Sequence, residues 1–230
     1  MKIDTGDHPP IKLRPYRTPI HKRKLVEEAV KDMLESRVIE RSKSSWSFPI
    51  VIVDKKDGGH RFCVDFRALN SITKPLAYPL PLIDDILALQ GRATCFSTLD
   101  LRLGYWQVAL NKADREKATF ACHAGLFQFR VMPFGLANSP GVFQQLMSVV
   151  LVGLEQFSMD YLDDILVFSS NVSEHLQHIQ AVFERLKNHG LKLKLPKCQF
   201  MKEKTRYLGF VINKNGIKPD TDKIRGRFHR

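Results

Sequence analysis

Long apolar runs are the first thing this sequence has little of. The longest, LMSVVLVGL at 146–154, falls well short of the roughly 20 residues that a membrane-spanning helix needs. The opening, MKIDTGDHPP, is polar and carries no apolar stretch of the kind a secretory signal requires. A soluble protein with no membrane partner is expected, in the cytoplasm or nucleus. Cysteine is scarce: Cys63, Cys95, Cys122 and Cys198 are scattered and form no CxxC pair. This speaks against a disulfide framework or a zinc site and for small buried hydrophobes in a reducing compartment. His175 and His178 could share a helix face, but no Cys or acid completes a metal set, and a solvated surface is expected for both. Acids are in deficit as well, 24 Asp and Glu against 36 Lys and Arg, for a formal net charge of +12. That excess favours a polyanionic partner, of which nucleic acid is the commonest. Charge alone also fits a merely basic protein.

What is present suffices for a sizeable core. Of 230 residues 43% are hydrophobic, enough for one large domain or two closely joined subdomains. The first 20 residues are Pro-rich and read as extended. HKRKLVEEAVKDMLES (21–36) carries Leu25, Val26, Ala29, Val30, Met33 and Leu34 at helical spacing. SFPIVIV (47–53) and RFCVDF (61–66) read as a hairpin with Gly58 and Gly59 in the turn and Lys55, Lys56 and Arg61 near its tip. YPLPLIDDILALQG (78–91) predicts a short helix entered through Pro81; ATCFSTLDL (93–101) and LFQFRVM (126–132) predict strands. Ser139 before Pro140 marks the start of an apolar helix over 138–154. A further helix is expected over about 172–188, with Asn171 and Glu174 spaced as a capping box and Gly190 past its end. RYLGFVINKNGIKP (206–219) predicts a hairpin turning at Asn215–Gly216. There is no internal repeat, and the mixture without strict βαβ alternation favours the α+β class.

Two Asp-Asp pairs stand out, and they differ in context. Asp84–Asp85 falls in the first turn of a predicted helix, where carboxylates interact well with the helix dipole. Asp163–Asp164 lies between SMDYL and ILVFS, both β-rich, so it is expected at a tight hairpin between buried-type strands. Adjacent ionised carboxylates in such a place are costly unless something compensates them. Side chains alternate along a regular strand, but a sharp turn can let neighbouring carboxylates converge. Asp100, ending FSTLD, reads as the one other acid so embedded in apolar strand. Two Asp-bearing strands side by side would gather Asp100, Asp163 and Asp164. Such a cluster suits Mg²⁺, a hard cation that prefers oxygen ligands. Two ions roughly 3.5–4 Å apart would clamp the attacking and leaving oxygens of a phosphoryl transfer.

Tyr161-Leu162-Asp163-Asp164 is the YxDD signature of reverse transcriptases, and the resemblance covers nearly the whole chain. RFCVDFRALN (61–70), FSTLDLRLGYWQV (96–108), FQFRVMPFGLANSPGVFQ (127–144), MDYLDDILVFS (159–169), LKLPKCQF (193–200) and YLGFVI (207–212) follow in the order that family shows. In wording the sequence is most similar to gypsy-type LTR retrotransposon polyproteins. The resemblance implies a right-hand polymerase with an antiparallel palm sheet backed by helices. Residues 1–20 would be an extended linker, 21–75 and 108–138 the fingers, 76–107 and 139–216 the palm, and 217–230 the truncated start of a thumb. It implies an RNA-directed DNA polymerase that uses two Mg²⁺ ions, with Mn²⁺ as a possible substitute, a primed RNA or DNA template and dNTPs.

Carried over by residue, Asp100 and Asp163 would hold both metals, Asp164 would complete the cluster, and the Leu101 carbonyl would serve the nucleotide-side metal. Tyr105 would be the gate that rejects a 2′-hydroxyl, with Phe134 also at the nucleotide; Phe134 stands where retroviral enzymes often have Gln. Lys55 and Arg61 would grip the triphosphate, with Lys56 an alternative to Lys55. Tyr207, Leu208 and Gly209 would form the primer grip. Lys197 would either donate a proton to pyrophosphate or contact phosphate. Asp65, Arg67, Gly135 and Tyr161 would lie along the nucleic acid.

Two rival readings follow from particular segments. IDTG (3–6) resembles the active-site triplet of aspartic proteases, but such a triplet belongs in a β-rich domain of its own, and linker is expected here. DKIRGRFHR (222–230) departs from the family pattern where a thumb should begin, which keeps a non-catalytic nucleic-acid-binding remnant as the alternative.

Overall fold

Helical spacing of apolar residues carries over directly into α1 (Ile20–Glu35), which buries Val26, Val30 and Met33. The computed structural model describes residues 1–54, 59–81 and 93–220. The tip of the first hairpin with Lys55, Lys56 and Gly58, the helix predicted within 78–91 with Asp84–Asp85, and DKIRGRFHR lie outside the described residues. After α1 come β1 (Ile39–Arg41), β2 (Phe48–Asp54), β3 (His60–Val64), a single turn α2 (Arg67–Asn70) and β4 (Cys95–Asp100). There follow β5 (Thr119–Cys122), β6 (Gly125–Phe129), α3 (Ser139–Val150), β7 (Ser158–Tyr161), β8 (Asp164–Ser169) and α4 (Val172–Asn188). Four short strands close the described chain: β9 (Gln199–Lys202), β10 (Lys204–Tyr207), β11 (Phe210–Asn213) and β12 (Gly216–Pro219).

The chain divides into two compact units, Met1–Ala77 with Tyr105–Val142, and Tyr78–Gly104 with Phe143–Arg230. The first is built on a five-stranded sheet in the order β1-β6-β5-β2-β3. β2 and β3 form the expected hairpin, pairing from Ile50–Val64 to Asp54–His60, and the β2–β5 pair is parallel. Its core is aromatic: Phe120 packs against Phe62, Phe127 and Phe129 at ring-centroid distances of 5.2–5.6 Å.

The opening segment is extended but pinned to this unit. Ile3 and Thr5 are buried, Lys117 donates to the Ile3 carbonyl, and Lys74 N–H donates to the Asp4 carbonyl. The Asp4 carboxylate accepts the Gly6 N–H and faces Lys74 at 3.5 Å, as a surface turn does.

The second unit holds an antiparallel four-stranded sheet, β7-β8-β4-β9, and a three-stranded sheet, β10-β11-β12. β8 is covered on both faces, with Ile165, Leu166, Val167 and Phe168 all at most 5% exposed. Leu166 and Phe168 join Phe96, Met159, Tyr207 and Ile212 in one apolar cluster. The helix α4 packs against β8.

Several local expectations need correction. Ser139 is inside the first turn of α3 rather than capping it, and its buried hydroxyl donates to the Pro133 carbonyl. Asn171 caps α4 by accepting the Glu174 N–H at 2.9 Å, but the Glu174 carboxylate reaches the N–H and hydroxyl of Ser170, one residue beyond the partner a capping box would give it. The last hairpin turns at Lys214–Asn215, because Asn213 pairs with Gly216; Gly216 uses its positive φ of 111° as the first residue of β12.

His175 and His178 are not solvated. His175 is fully buried between Ser97 of β4 and Ser169 of β8, at 2.8 and 2.7 Å. One ring nitrogen donates and the other accepts, and burial lowers the ring's pKa, so the neutral form is favoured. His178 meets the same Ser169 hydroxyl at 2.8 Å and stacks on Phe157. The inward face of α4 is set by the strand it covers, which the helix's own periodicity does not reveal. Ser97 also accepts the Met201 N–H at 3.1 Å. Ser97→Ala is therefore expected to leave the buried His175 ring and the Met201 N–H without this partner and to lower stability by about 1–3 kcal/mol, read from urea unfolding of the two proteins under the same conditions.

Candidate active site

The register of two strands brings the acids together. β4 and β8 pair antiparallel with Asp100 opposite Asp164, and β7 and β8 pair with Tyr161 opposite Asp164. Leu162 and Asp163 are thus the two residues of a tight turn, and Leu162 takes a left-handed φ of 58°. A non-glycine residue held there costs on the order of 1–3 kcal/mol, and it persists only where the surroundings fix it. Several contacts do so. Leu101 N–H donates to the Asp163 carbonyl at 3.2 Å, and the buried Tyr207 donates its hydroxyl to the Asp164 carbonyl at 3.0 Å. Gly104 lies under the turn: a Cβ there would stand 3.1 Å from the Asp163 Cβ and 3.4 Å from Phe143. On the other side of β4, the Asp100 N–H points at Cys198 Sγ at 3.4 Å. Cys198 is only partly buried, unlike the buried role expected of it.

The Asp100 carboxylate meets Lys197 Nζ at 3.5 Å. A cleft of about 380 Å³ runs along these groups, lined among others by Asp100, Asp164, Lys197, Tyr207, Leu208 and Gly209. Leu208 and Gly209 form the two-residue turn between β10 and β11, with φ of 49° and 87°. Positive φ at both positions matches the twist of the flanking strands. The Gly209 carbonyl accepts the Asp220 N–H at 2.9 Å. Tyr161, at the end of β7, packs against the apolar cluster behind the site.

By donor chemistry this set suits a hard cation, since three carboxylates and the Leu101 carbonyl offer oxygen alone. Among the described residues, however, no three His, Cys, Asp or Glu side chains converge closely enough to hold one ion. The Asp100 carboxylate faces the Lys197 ammonium.

Asp160 corrects the view of Asp100 as the one other acid embedded in apolar strand. It lies in β7, three residues before Asp163, and burial raises its pKa to about 6 against the opposing pull of a hydrogen bond from Gln144. Its signal was present in SMDYL. Gln144 closes the FQFRVMPFGLANSPGVFQ block, but nothing beside it in the chain names its partners, which lie 16 and 18 residues away.

The other candidates belong to the first unit. Tyr105 and Phe134 lie ring to ring at 5.1 Å, with Trp106 6.3 Å from Phe134, which is 49% exposed. Asp65 is held by Arg67 at 2.6 and 2.8 Å and by the Tyr16 hydroxyl at 2.9 Å. The guanidinium keeps its carboxyl well below the usual carboxylate range. Gly135, at φ 95°, offers its carbonyl to Asn70 at 2.8 Å. Arg61 is exposed on β3, opposite Val53; Lys55 lies outside the described residues.

Residues 53–212 match the family model for reverse transcriptase (RNA-dependent DNA polymerase). The chain belongs to this family. It is 37% identical over 230 residues to the retrovirus-related Pol polyprotein from transposon gypsy of Drosophila melanogaster, covering 97% of this chain and 22% of that protein. It is 38% identical over 206 residues to the corresponding polyprotein from transposon 297 of the same organism, covering 87% of this chain and 20% of that one. The reverse transcriptase chain thus spans about a fifth of the length of these relatives. Among solved structures, it resembles the foamy viral protease-reverse transcriptase dRH in complex with double-stranded DNA. The TM-score is 0.91 and the identity 26%, over 99% of this chain and 40% of that one. The foamy viral protease-reverse transcriptase with an RNA/DNA hybrid gives a TM-score of 0.89 at 27% identity, over 97% and 30%. The fold of this reverse transcriptase domain is therefore the α+β fingers-and-palm fold of a right-hand polymerase. Among the described residues, no helix is long and apolar enough to cross a membrane.

The packing of Gly104 under the acidic turn gives an expected outcome. Gly104→Ala forces Asp163 or Phe143 to move by a few tenths of an ångström, and overpacking of this kind typically costs about 1–3 kcal/mol. Stability is expected to fall by about 1 kcal/mol, read from urea unfolding of the two proteins.

Proposed function

We propose that this domain is an RNA-directed DNA polymerase, in which a primer 3′-hydroxyl attacks the α-phosphate of a dNTP and releases pyrophosphate. The observation that carries the reading is the strand register that sets Asp100 opposite Asp164, with Asp163 in the adjoining turn. The foamy viral structures hold double-stranded DNA and an RNA/DNA hybrid, which supports a primed RNA or DNA template as the partner here. On this reading the first unit is the fingers and the second the palm, with residues 217–230 leading towards a thumb.

Each residue then has a task. Asp100, Asp163, Asp164 and the Leu101 carbonyl would hold two Mg²⁺ ions, or Mn²⁺ in their place, which when bound lower the pKa of the attacking hydroxyl and neutralise charge on the phosphates. Lys55 and Arg61 hold the triphosphate, as cationic donors suit phosphate oxygens. Tyr105, with Phe134 against its ring, walls the sugar side of the nucleotide. Lys197 contacts the leaving pyrophosphate. The Leu208–Gly209 turn and Tyr207 support the primer end, and Asp65, Arg67, Gly135 and Tyr161 line the path of the nucleic acid.

Primer extension on poly(rA)/oligo(dT) with Mg²⁺ tests the assignment. Asp100→Asn, Asp163→Asn and Asp164→Asn are each expected to reduce extension by about 10³-fold or more, some 4 kcal/mol in barrier, whereas Asp84→Asn and Asp85→Asn retain it. Robust extension by Asp163→Asn would rule the reading out.

The sugar wall is checked separately. Tyr105→Ala removes the bulk that meets a 2′-oxygen, so ribonucleotide incorporation relative to deoxyribonucleotide is expected to rise, about tenfold for a loss of about 1.4 kcal/mol of discrimination. An unchanged ratio in single-nucleotide incorporation would make Tyr105 a packing residue only.

A further inference from the structure

Beneath the acidic turn a buried amide does more than fill space. Gln144, on α3, is 1% exposed. Its Oε1 accepts the Leu162 N–H at 2.9 Å, and its Nε2 donates to Asp160 Oδ2 at 2.5 Å. Chemistry fixes which way the amide faces, because a backbone N–H can only donate and an ionised carboxylate can only accept. The same side chain thus ties the strand before the turn to the first residue of the turn. That residue is Leu162, whose left-handed φ of 58° needs surroundings that over-determine it.

The other ties act on the carbonyls of Asp163 and Asp164; Gln144 holds the N–H side. Removing it would leave the Leu162 N–H without this partner and Asp160 buried without its donor, and both losses favour rearrangement of the turn.

We propose that Gln144 is a positioning residue that locks the Leu162–Asp163 turn, with Asp160 as the anchor that orients its amide, and so fixes where the Asp163 and Asp164 carboxylates stand. This deepens the polymerase reading and rests on it for its effect on rate. Gln144 touches no reacting atom; it acts through the turn. Catalytic groups displaced by as little as an ångström can lose about 10²-fold in rate, so a loosened turn should lower kcat and leave nucleotide affinity nearly alone.

A swap of chemical sense tests this. In Gln144→Glu with Asp160 retained, two carboxyl groups meet at hydrogen-bond distance and repel once both are ionised; burial already raises the Asp160 pKa to about 6, so the variants are compared at about pH 9, where a proton shared between the two is disfavoured. In the double variant Gln144→Glu/Asp160→Asn, one Glu oxygen accepts the Leu162 N–H and the other accepts from the Asn amide, so both bonds return with charge unchanged. The expected result is that Gln144→Leu and Gln144→Glu each lower kcat at least tenfold, with KM for dNTP within about twofold, and that the double variant recovers to within about threefold of the parent. Full kcat in Gln144→Leu, or no recovery in a folded double variant, would overturn the proposal. Should Gln144→Leu fail to fold, the two Glu variants carry the comparison, since neither changes side-chain volume appreciably.

Hydrogen exchange of the Leu162 amide gives a readout independent of activity. Exchange should quicken in Gln144→Glu and slow again in the double variant; unchanged protection across the set would also overturn the proposal. If the parent chain extends no primer at all, the polymerase reading fails while the exchange measurement still decides the role of Gln144 in the turn.

Discussion

Like-charge repulsion at the end of a buried strand is the constraint around which the second unit is organised. Asp163 and Asp164 sit where β8 emerges from cover on both faces, and the strand cannot slide to relieve them, because it is paired along both edges, with β4 and with β7, and a slip would break both ladders at once. What remains is to hold the turn rigid from beneath. Tyr207, Leu101, Gly104 and Gln144 each approach it from a different element. None of these neutralises the carboxylates. Instead they fix the backbone, so that the charged turn is held in one place.

The two units solve different problems with the same materials. Rings packed on one another fill the core of the first, around Phe120, and the exposed Phe134 is paired with the half-buried Tyr105. The second holds several of its buried polar groups in small closed networks. Ser97, Ser169, His175 and His178 satisfy one another, and Gln144 does the same for Asp160 farther along the same sheet. In a low-dielectric interior such networks rigidify only when every member is paired.

What could be seen in the sequence was whatever its neighbours along the chain determine. The Asp163–Asp164 turn was visible because its apolar flanks left no helix dipole to account for the charges. Asn171 was visible because a cap and its partner are three residues apart. The features that escaped depend on distant partners. His175 reads as solvated because the sequence gives no means of matching its helix face to Ser97, 78 residues away. Asp160 sits in the same strand signal as the doublet, but a lone acid between Met159 and Tyr161 gains its meaning only from Gln144. The Asn215–Gly216 pair misled for a subtler reason: the signal marks a glycine with positive φ, and Gly216 has one, but it spends it at the start of a strand instead of inside the turn.

The order in which the chain builds its two units has a consequence for its biosynthesis. Met1–Ala77 belongs to one, Tyr78–Gly104 to the other, Tyr105–Val142 to the first again and the remainder to the second. During translation the five-stranded sheet therefore lacks β5 and β6 until residues 119–129 have left the ribosome, and β4 must wait for β8, some 60 residues later, at about 5–20 residues per second. For several seconds the nascent chain carries β2 and β4 with open edges. Neither unit can be cut out as a single contiguous fragment, so the two must mature on one chain and nearly together.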